Sequence, residues 1–249
     1  MKRPLIIGTL VIAIMSTLSA AVWQVSKSRS FQCFGGIVRR VETDEKIVAL
    51  TFDDGPSAAY TGEVLRVLAA LDVKATFFVT GAELAANMAQ GKQIVAAGHE
   101  LGNHTYSHKR MVFKSPAFIR QEIEATDRLI RSAGYRGAIH FRAPGCKKLI
   151  LLPWYLRRHN RKSIVWDVEP ESDPKTAADA AKIAAHVTAR VRPGSIVLLH
   201  VMYDGRAESR RAVGGIVRAL RAEGYSFVTV SALLAAEGST VTLDTGGSN

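Results

Sequence analysis

The chain has 249 residues, 47% hydrophobic and 22% charged, which suits one globular domain and argues against wholesale disorder or a polytopic membrane protein. Two cysteines cannot build a multi-bridge disulfide scaffold, so stability has to come from a buried apolar core. A net charge of +11 favours anionic surfaces such as lipid headgroups or acidic envelope polymers; without a Lys/Arg stripe interleaved with aromatics, nucleic acid is not expected as a partner.

Lys2 and Arg3 precede an uncharged stretch whose apolar part runs over 5–22. Residues 1–30 therefore read as a signal peptide, with small residues at Ser19-Ala20-Ala21, or as a membrane anchor holding the chain to the bilayer if uncleaved. Either reading places the rest outside the cytoplasm, in the periplasm or cell envelope, or secreted. Residues 31–45 read as a linker or N-terminal extension and include Cys33, which an oxidising compartment allows to pair with Cys146.

From residue 46, short apolar runs alternate with amphipathic stretches. Strands are expected over 47–52, 74–79, 139–142, 163–167 and 195–200, and helices over 60–71, 116–133, 175–191 and 206–223. This alternation implies a parallel sheet or an α/β barrel. The domain is drawn at 46–236, and the polar, Gly-rich tail 237–249 is expected to fray.

Acids and histidines gather where the predicted strands end, the edge at which parallel α/β folds place ligands. In TFDDGP (51–56) an apolar strand ends in Asp53 and Asp54; a metal on one carboxylate would offset their repulsion and leave the other to act as a base. The same residues also suit a plain surface turn. In HTYSH, His104 and His108 are four residues apart, which on a helical turn puts two imidazoles within reach of one ion. One Asp and two His make a frequent ligand set for a metal that keeps a position open. His200 ends the run 196–199 and is suited to proton donation near neutral pH, while Arg142 in FRAPG is suited to holding a carboxylate ionised. His99, His140, His159 and His186 read as structural or surface residues. Trp154 and Trp166 are able to stack on sugars, though at their spacing tryptophan more often packs in a core.

TFDDGP, HTYSH, FRAPG and LLH, in that order across 46–234, resemble the polysaccharide deacetylase family, carbohydrate esterase family four, which includes peptidoglycan, chitin and chitooligosaccharide deacetylases. The resemblance implies an α/β fold, a distorted (β/α) barrel, and a divalent metal, usually zinc, with cobalt or manganese as alternatives. The implied activity is removal of N-acetyl groups from N-acetylglucosamine units of a glycan. By position, Asp54, His104 and His108 match the metal ligands, Asp53 the general base, Arg142 the arginine that orients it, and His200 the general acid. The N–H of Gly145, after Pro144, matches the oxyanion donor, and Trp166 falls in the sugar-site region.

The chain departs from the family pattern in three places, the last of them after His200, where the family commonly has an acid and this chain has Val201, Met202, Tyr203 and Asp204. After Pro144 the family usually has an aromatic, whereas this chain has Gly145 and Cys146. In WDVEPESDP (166–174), where the family has an Asp-Trp pair that orients the histidine, Asp173 is the expected acid, with Asp167 or Glu169 as alternatives. An O-acetyl esterase or other amidohydrolase of the same fold, or a glycan-binding protein with little turnover, are the competing readings.

Overall fold

The computed structural model describes the backbone of residues 2–237 and the side chains of residues 12–237. The chain opens with helix α1 (Lys2–Ser26). The expected leader falls in part on residues 1–11, outside the described side chains. Among the described residues no helix is long and apolar enough to cross a membrane, so the anchor gains no support here. Of the expected tail, only Glu237 lies within the described residues.

The 31–45 segment does more than link. It contributes β1 (Ile37–Val38), Val41 N–H donates to Gly194 O at 2.9 Å, and Arg40 Nη1 donates to Pro193 O at 2.8 Å.

The run predicted over 47–52 becomes β2 (Ile47–Asp53), buried on both faces from Val48 onward, as a central parallel strand requires. After α2 (Thr61–Ala70) comes β3 (Thr76–Val79), with Thr51, Phe52 and Asp53 opposite Thr76, Phe77 and Phe78. The short helices α3 (Gly81–Ala86) and α4 (Met88–Ala96) lead to β4 (Glu100–Asn103), which pairs in parallel with β3. The long helix α5 (Pro116–Ser132) matches the prediction: Ser115 Oγ accepts the Phe118 N–H at 3.2 Å, and Pro116 occupies the first turn, where its missing N–H costs nothing.

The strand predicted over 139–142 shrinks to Phe141, which bridges Asn103 on one side and Ser163 on the other. Helix α6 (Leu151–Arg158) precedes β5 (Ser163–Ile164), the remnant of the strand predicted to run to 167; β5 pairs with β1. The single helix predicted over 175–191 is two, α7 (Pro174–Ala177) and α8 (Ala180–Thr188). Asp179 starts the second by accepting the N–H groups of Ala181 and Lys182 at 2.8 and 3.0 Å, so its side chain competes with continuation of the first.

Strand β6 (Ile196–His200) pairs with β2 from Ala49 to Asp53, and Val168 bridges its Val197. Helix α9 (Ala207–Ala222) buries Ala212, Val213, Ile216, Val217 and Leu220, a stripe at helical spacing. β7 (Ser226–Val228) pairs with the start of β2, and α10 (Val230–Ala235) follows. Phe52 and Phe77, 5.0 Å apart between ring centroids, lie in the main core with Leu50, Leu101 and Leu199. The result is a parallel sheet with helices, and β2, β4, Phe141 and β6 all point their C-terminal ends to one edge.

Candidate active site

Asp53 is the last residue of β2, opposite His200 at the end of β6. The chain then turns sharply: Asp54 and Gly55 have φ of 74° and 75°, and a side chain at Gly55 would sit 2.6 Å from Met202 Cγ. Glycine is thus required there by backbone and by space. Glu83 secures the turn, its Oε2 accepting from Gly55 N–H at 2.8 Å and from Thr80 Oγ at 2.7 Å.

Arg142 is fully buried and donates through Nη1 to Asp53 Oδ1 at 2.6 Å and to Thr51 Oγ at 2.9 Å, while Nε and Nη2 reach Ile164 O and Val165 O at 3.2 Å. Its guanidinium stands 4.0 Å from the Phe78 ring centroid. Burial pushes the Asp53 carboxyl up, but the charge of Arg142, together with His104 and His200, outweighs it and holds Asp53 below the usual carboxylate range.

HTYSH does not form the helical turn its spacing allows. Thr105 and His108 take positive φ (69° and 55°), and Glu122 on α5 closes the loop by accepting from Tyr106 N–H at 3.0 Å, Ser107 N–H at 2.8 Å and Ser107 Oγ at 2.8 Å. The loop nevertheless brings both imidazoles together, 5.0 Å apart between centroids. His104 Nδ1 lies 2.8 Å from Arg142 O, which can only accept, so Nδ1 carries the proton and Nε2 keeps its lone pair. Burial, the largest influence, holds the His104 pKa below its ordinary value, against the raising effect of Asp53 and Asp54.

His108 Nε2 is 3.3 Å and His104 Nε2 3.9 Å from Asp54 Oδ1, and the three ligand atoms lie within 4.8 Å of one another. Asp54 Oδ1 is buried with no hydrogen-bond partner. A buried, unsatisfied carboxylate oxygen between two imidazoles is costly without a cation and suits one with borderline N and O preferences. The residues present therefore fit a divalent metal.

His200 is where the structure corrects the sequence reading most clearly. Its Nδ1 lies 2.5 Å from Glu171 Oε2, and its backbone N–H is 3.1 Å from both Glu171 oxygens. Asp173, the expected partner, is instead an exposed cap on α7, accepting from Thr176 N–H at 3.1 Å and Lys175 N–H at 3.2 Å. Asp167 is tied to Ser195 Oγ at 2.8 Å and Ile196 N–H at 2.9 Å, and Glu169 to Ser172. Burial works against a charged His200, but its hydrogen bond to Glu171 and the charges of Asp53, Glu171 and Asp54 raise its pKa above the ordinary imidazole value. Nε2 is left facing Asp54 Oδ2 at 4.0 Å.

Pro144 is buried and Gly145 exposed, with φ 54°. Trp166 offers no open face to a sugar: it is 8% exposed and packs with Phe78, Cys146 and Leu198, 5.5 Å from the Arg142 guanidinium. Trp154 lies on α6 beneath Arg158. Cys33 and Cys146 are both free thiols, the first exposed and the second buried. Among the other histidines, His99 is buried, accepts the Ala75 N–H at 3.2 Å and has its pKa pushed down by burial to about 4, a structural role.

Residues 40–160 match the polysaccharide deacetylase family profile. A peptidoglycan-N-acetylglucosamine deacetylase from Bacillus cereus is 32% identical over 202 residues, covering 80% of this chain and 93% of that protein. A chitooligosaccharide deacetylase from a Bradyrhizobium species is 35% identical over 191 residues, covering 72% and 86%. The crystal structure of the Bc1960 peptidoglycan N-acetylglucosamine deacetylase, solved with a hydroxamate-type benzamide, superposes with a TM-score of 0.74 at 28% identity, covering 78% and 91%. The fold and site thus define a hydrolase of the deacetylase class. The chain belongs to the polysaccharide deacetylase family, carbohydrate esterase family four.

Proposed function

We propose that this protein is a metal-dependent N-deacetylase acting on an N-acetylglucosamine-containing glycan of the cell envelope, peptidoglycan or a chitin-like oligomer. The observation that carries the reading is the pairing of two oppositely tuned groups around one candidate metal site: Asp53 held ionised by Arg142, and His200 hydrogen-bonded to Glu171, which raises its pKa. Separation of an acid and a base in this way is what amide hydrolysis demands. The pairing returning through Phe141, β5 and Val168 to β6 supports the distorted (β/α) barrel.

Asp54, His104 and His108 would hold the ion, with zinc favoured by the N/N/O set. Bound there, a divalent cation supplies Lewis-acid chemistry, lowering the pKa of water and polarising a carbonyl. Asp53, kept anionic, takes a proton from the attacking water, and Arg142 fixes the direction of its free oxygen. His200 gives the Nε2 proton to the departing amine, which is a poor leaving group until protonated. Glu171 stabilises the imidazolium before that transfer. The N–H of Gly145, which matches the family's oxyanion donor by position, would donate to the oxyanion. The charge and apolarity of residues 1–30 support an extracytoplasmic site of action.

The test is acetate release from N-acetylglucosamine oligomers by zinc-reconstituted protein beside its metal-free form. Metal-dependent release is expected. Release from O-acetylated xylan alone would assign an esterase instead, and stoichiometric metal with no release from either would refute the hydrolase reading.

A further inference from the structure

The segment after α1 returns over the loop that departs from the family pattern. Lys148 Nζ donates to Ser28 O at 2.6 Å, Lys148 N–H to Ser26 O at 2.9 Å, and Lys147 Nζ stands 3.6 Å from the Trp23 ring centroid. Between this segment and the loop lies a cavity of about 550 Å³, lined among others by Lys27, Arg29, Gly145, Lys147, Trp166 and Glu169. Lys27 and Arg29 lie outside the 40–160 region that the family profile matches.

Three cations face this cavity against one lining acid, Glu169, which is already bonded to Ser172. Among the described residues none of the three has a carboxylate within 4.0 Å. Lys147 is 8% exposed; desolvation, then repulsion from Lys27 and Arg110, pushes its pKa down. Clustering unpaired cations in a concavity is unfavourable for the empty protein and favourable once an anion enters. The cavity adjoins the chemistry: it shares Gly145 with the candidate oxyanion position, and Arg29 stands 5.6 Å from the ring of Trp166, whose other neighbours include Arg142.

We propose that this cavity is a subsite for a carboxylate-bearing sugar adjoining the N-acetylated unit, so that the preferred glycan alternates N-acetylglucosamine with an acidic residue. The proposal rests on the N-deacetylase reading above. A lipid surface is the weaker match, because a bilayer cannot enter a concavity whereas a sugar substituent can. The carboxylate has two sources, a uronate or a lactyl ether on a hexosamine, and both bring one negative charge to the net double positive charge of the lining.

The full zinc-loaded chain is compared on three substrates of equal length: neutral N-acetylglucosamine oligomers, oligomers alternating with glucuronate, and peptide-free glycan alternating with muramate. The variants are Lys27→Gln, Arg29→Gln and the pair; both positions precede the site loop. The wild type should prefer at least one acidic substrate, and the arm that wins identifies the source. The double variant should lower the acidic-to-neutral ratio of kcat/KM by about 5–10-fold, through KM, and flatten its salt dependence. An unchanged ratio, or a wild type that prefers the neutral oligomer over both acidic ones, overturns the subsite while leaving the deacetylase reading standing.

Should no substrate release acetate, the deacetylase reading fails and binding titrations decide the subsite alone. Tighter binding of acidic than neutral oligomers, lost in the double variant, upholds it; equal binding overturns it. Retention on anionic phospholipid vesicles that the double variant loses, with the substrate ratio unmoved, overturns it in favour of a membrane contact.

Discussion

Glu171 grips His200 twice, through the imidazole Nδ1 at 2.5 Å and through the backbone N–H at 3.1 Å, so ring orientation and strand end are fixed by one carboxylate. Ser209 and Arg206 hold Glu171 in turn. Desolvation opposes the Glu171 charge, but the hydrogen bonds and charge of His200 outweigh it and keep Glu171 below the ordinary glutamate range.

Glu171→Gln should therefore lower the His200 pKa. A general acid works only while protonated, so activity is lost as pH rises through that pKa. The alkaline limb of the kcat profile is expected to move to lower pH, and kcat near neutrality to fall by about tenfold or more. Asp173→Asn, at the exposed cap of α7, should leave the limb where it is. A profile that shifts with Asp173→Asn and not with Glu171→Gln would reverse the assignment.

That contrast marks where the sequence stopped being legible. The helix starting at Pro116, the central strand and the ends of β2 and β6 were all readable, because burial on both faces and a capped proline leave a local imprint. WDVEPESDP carries acids at 167, 169, 171 and 173, every second position, and an extended chain presents alternate residues on one side. Which of them meets His200 depends on where the chain turns into α7, a tertiary matter. Glu83 and Glu122 were invisible for the same reason: each braces a motif loop from a different element. The one local hint was the Thr80 to Glu83 spacing of a capping box.

Asp53 and Asp54 should separate by measurement. Asp54→Ala is expected to abolish stoichiometric zinc in the dialysed protein along with activity. Asp53→Asn should keep the zinc and lose about 10²–10⁴-fold in kcat. Metal analysis of both variants beside single-turnover acetate release checks this; zinc lost equally from both would merge the two roles.

Arg142→Gln leaves Asp53 buried without its cation. A loss of about 3–5 kcal/mol is expected from breaking a buried pair on one side, read as a drop in the urea midpoint. In whatever folds, the Asp53 pKa rises, and because the base must be ionised, the acid limb of kcat/KM should move to higher pH. An unmoved acid limb would mean that Asp53 does not titrate in catalysis.

Glu122→Ala removes the acceptor for three donors in the His104–His108 loop. Zinc affinity should fall by about 10–100-fold, the usual consequence of loosening what orients a ligand. Competition with a chelator measures the affinity, and far-ultraviolet circular dichroism verifies that α5 persists.

Arg142 serves two masters at once: its side chain aims Asp53, its carbonyl oxygen sets the tautomer of His104, and its own N–H hangs from Asn103 O at 3.0 Å. The candidate base and one candidate ligand are thus surveyed from a single benchmark. A displacement of the backbone at Arg142 would therefore disturb the hydrogen bonds of both side chains together rather than of either alone.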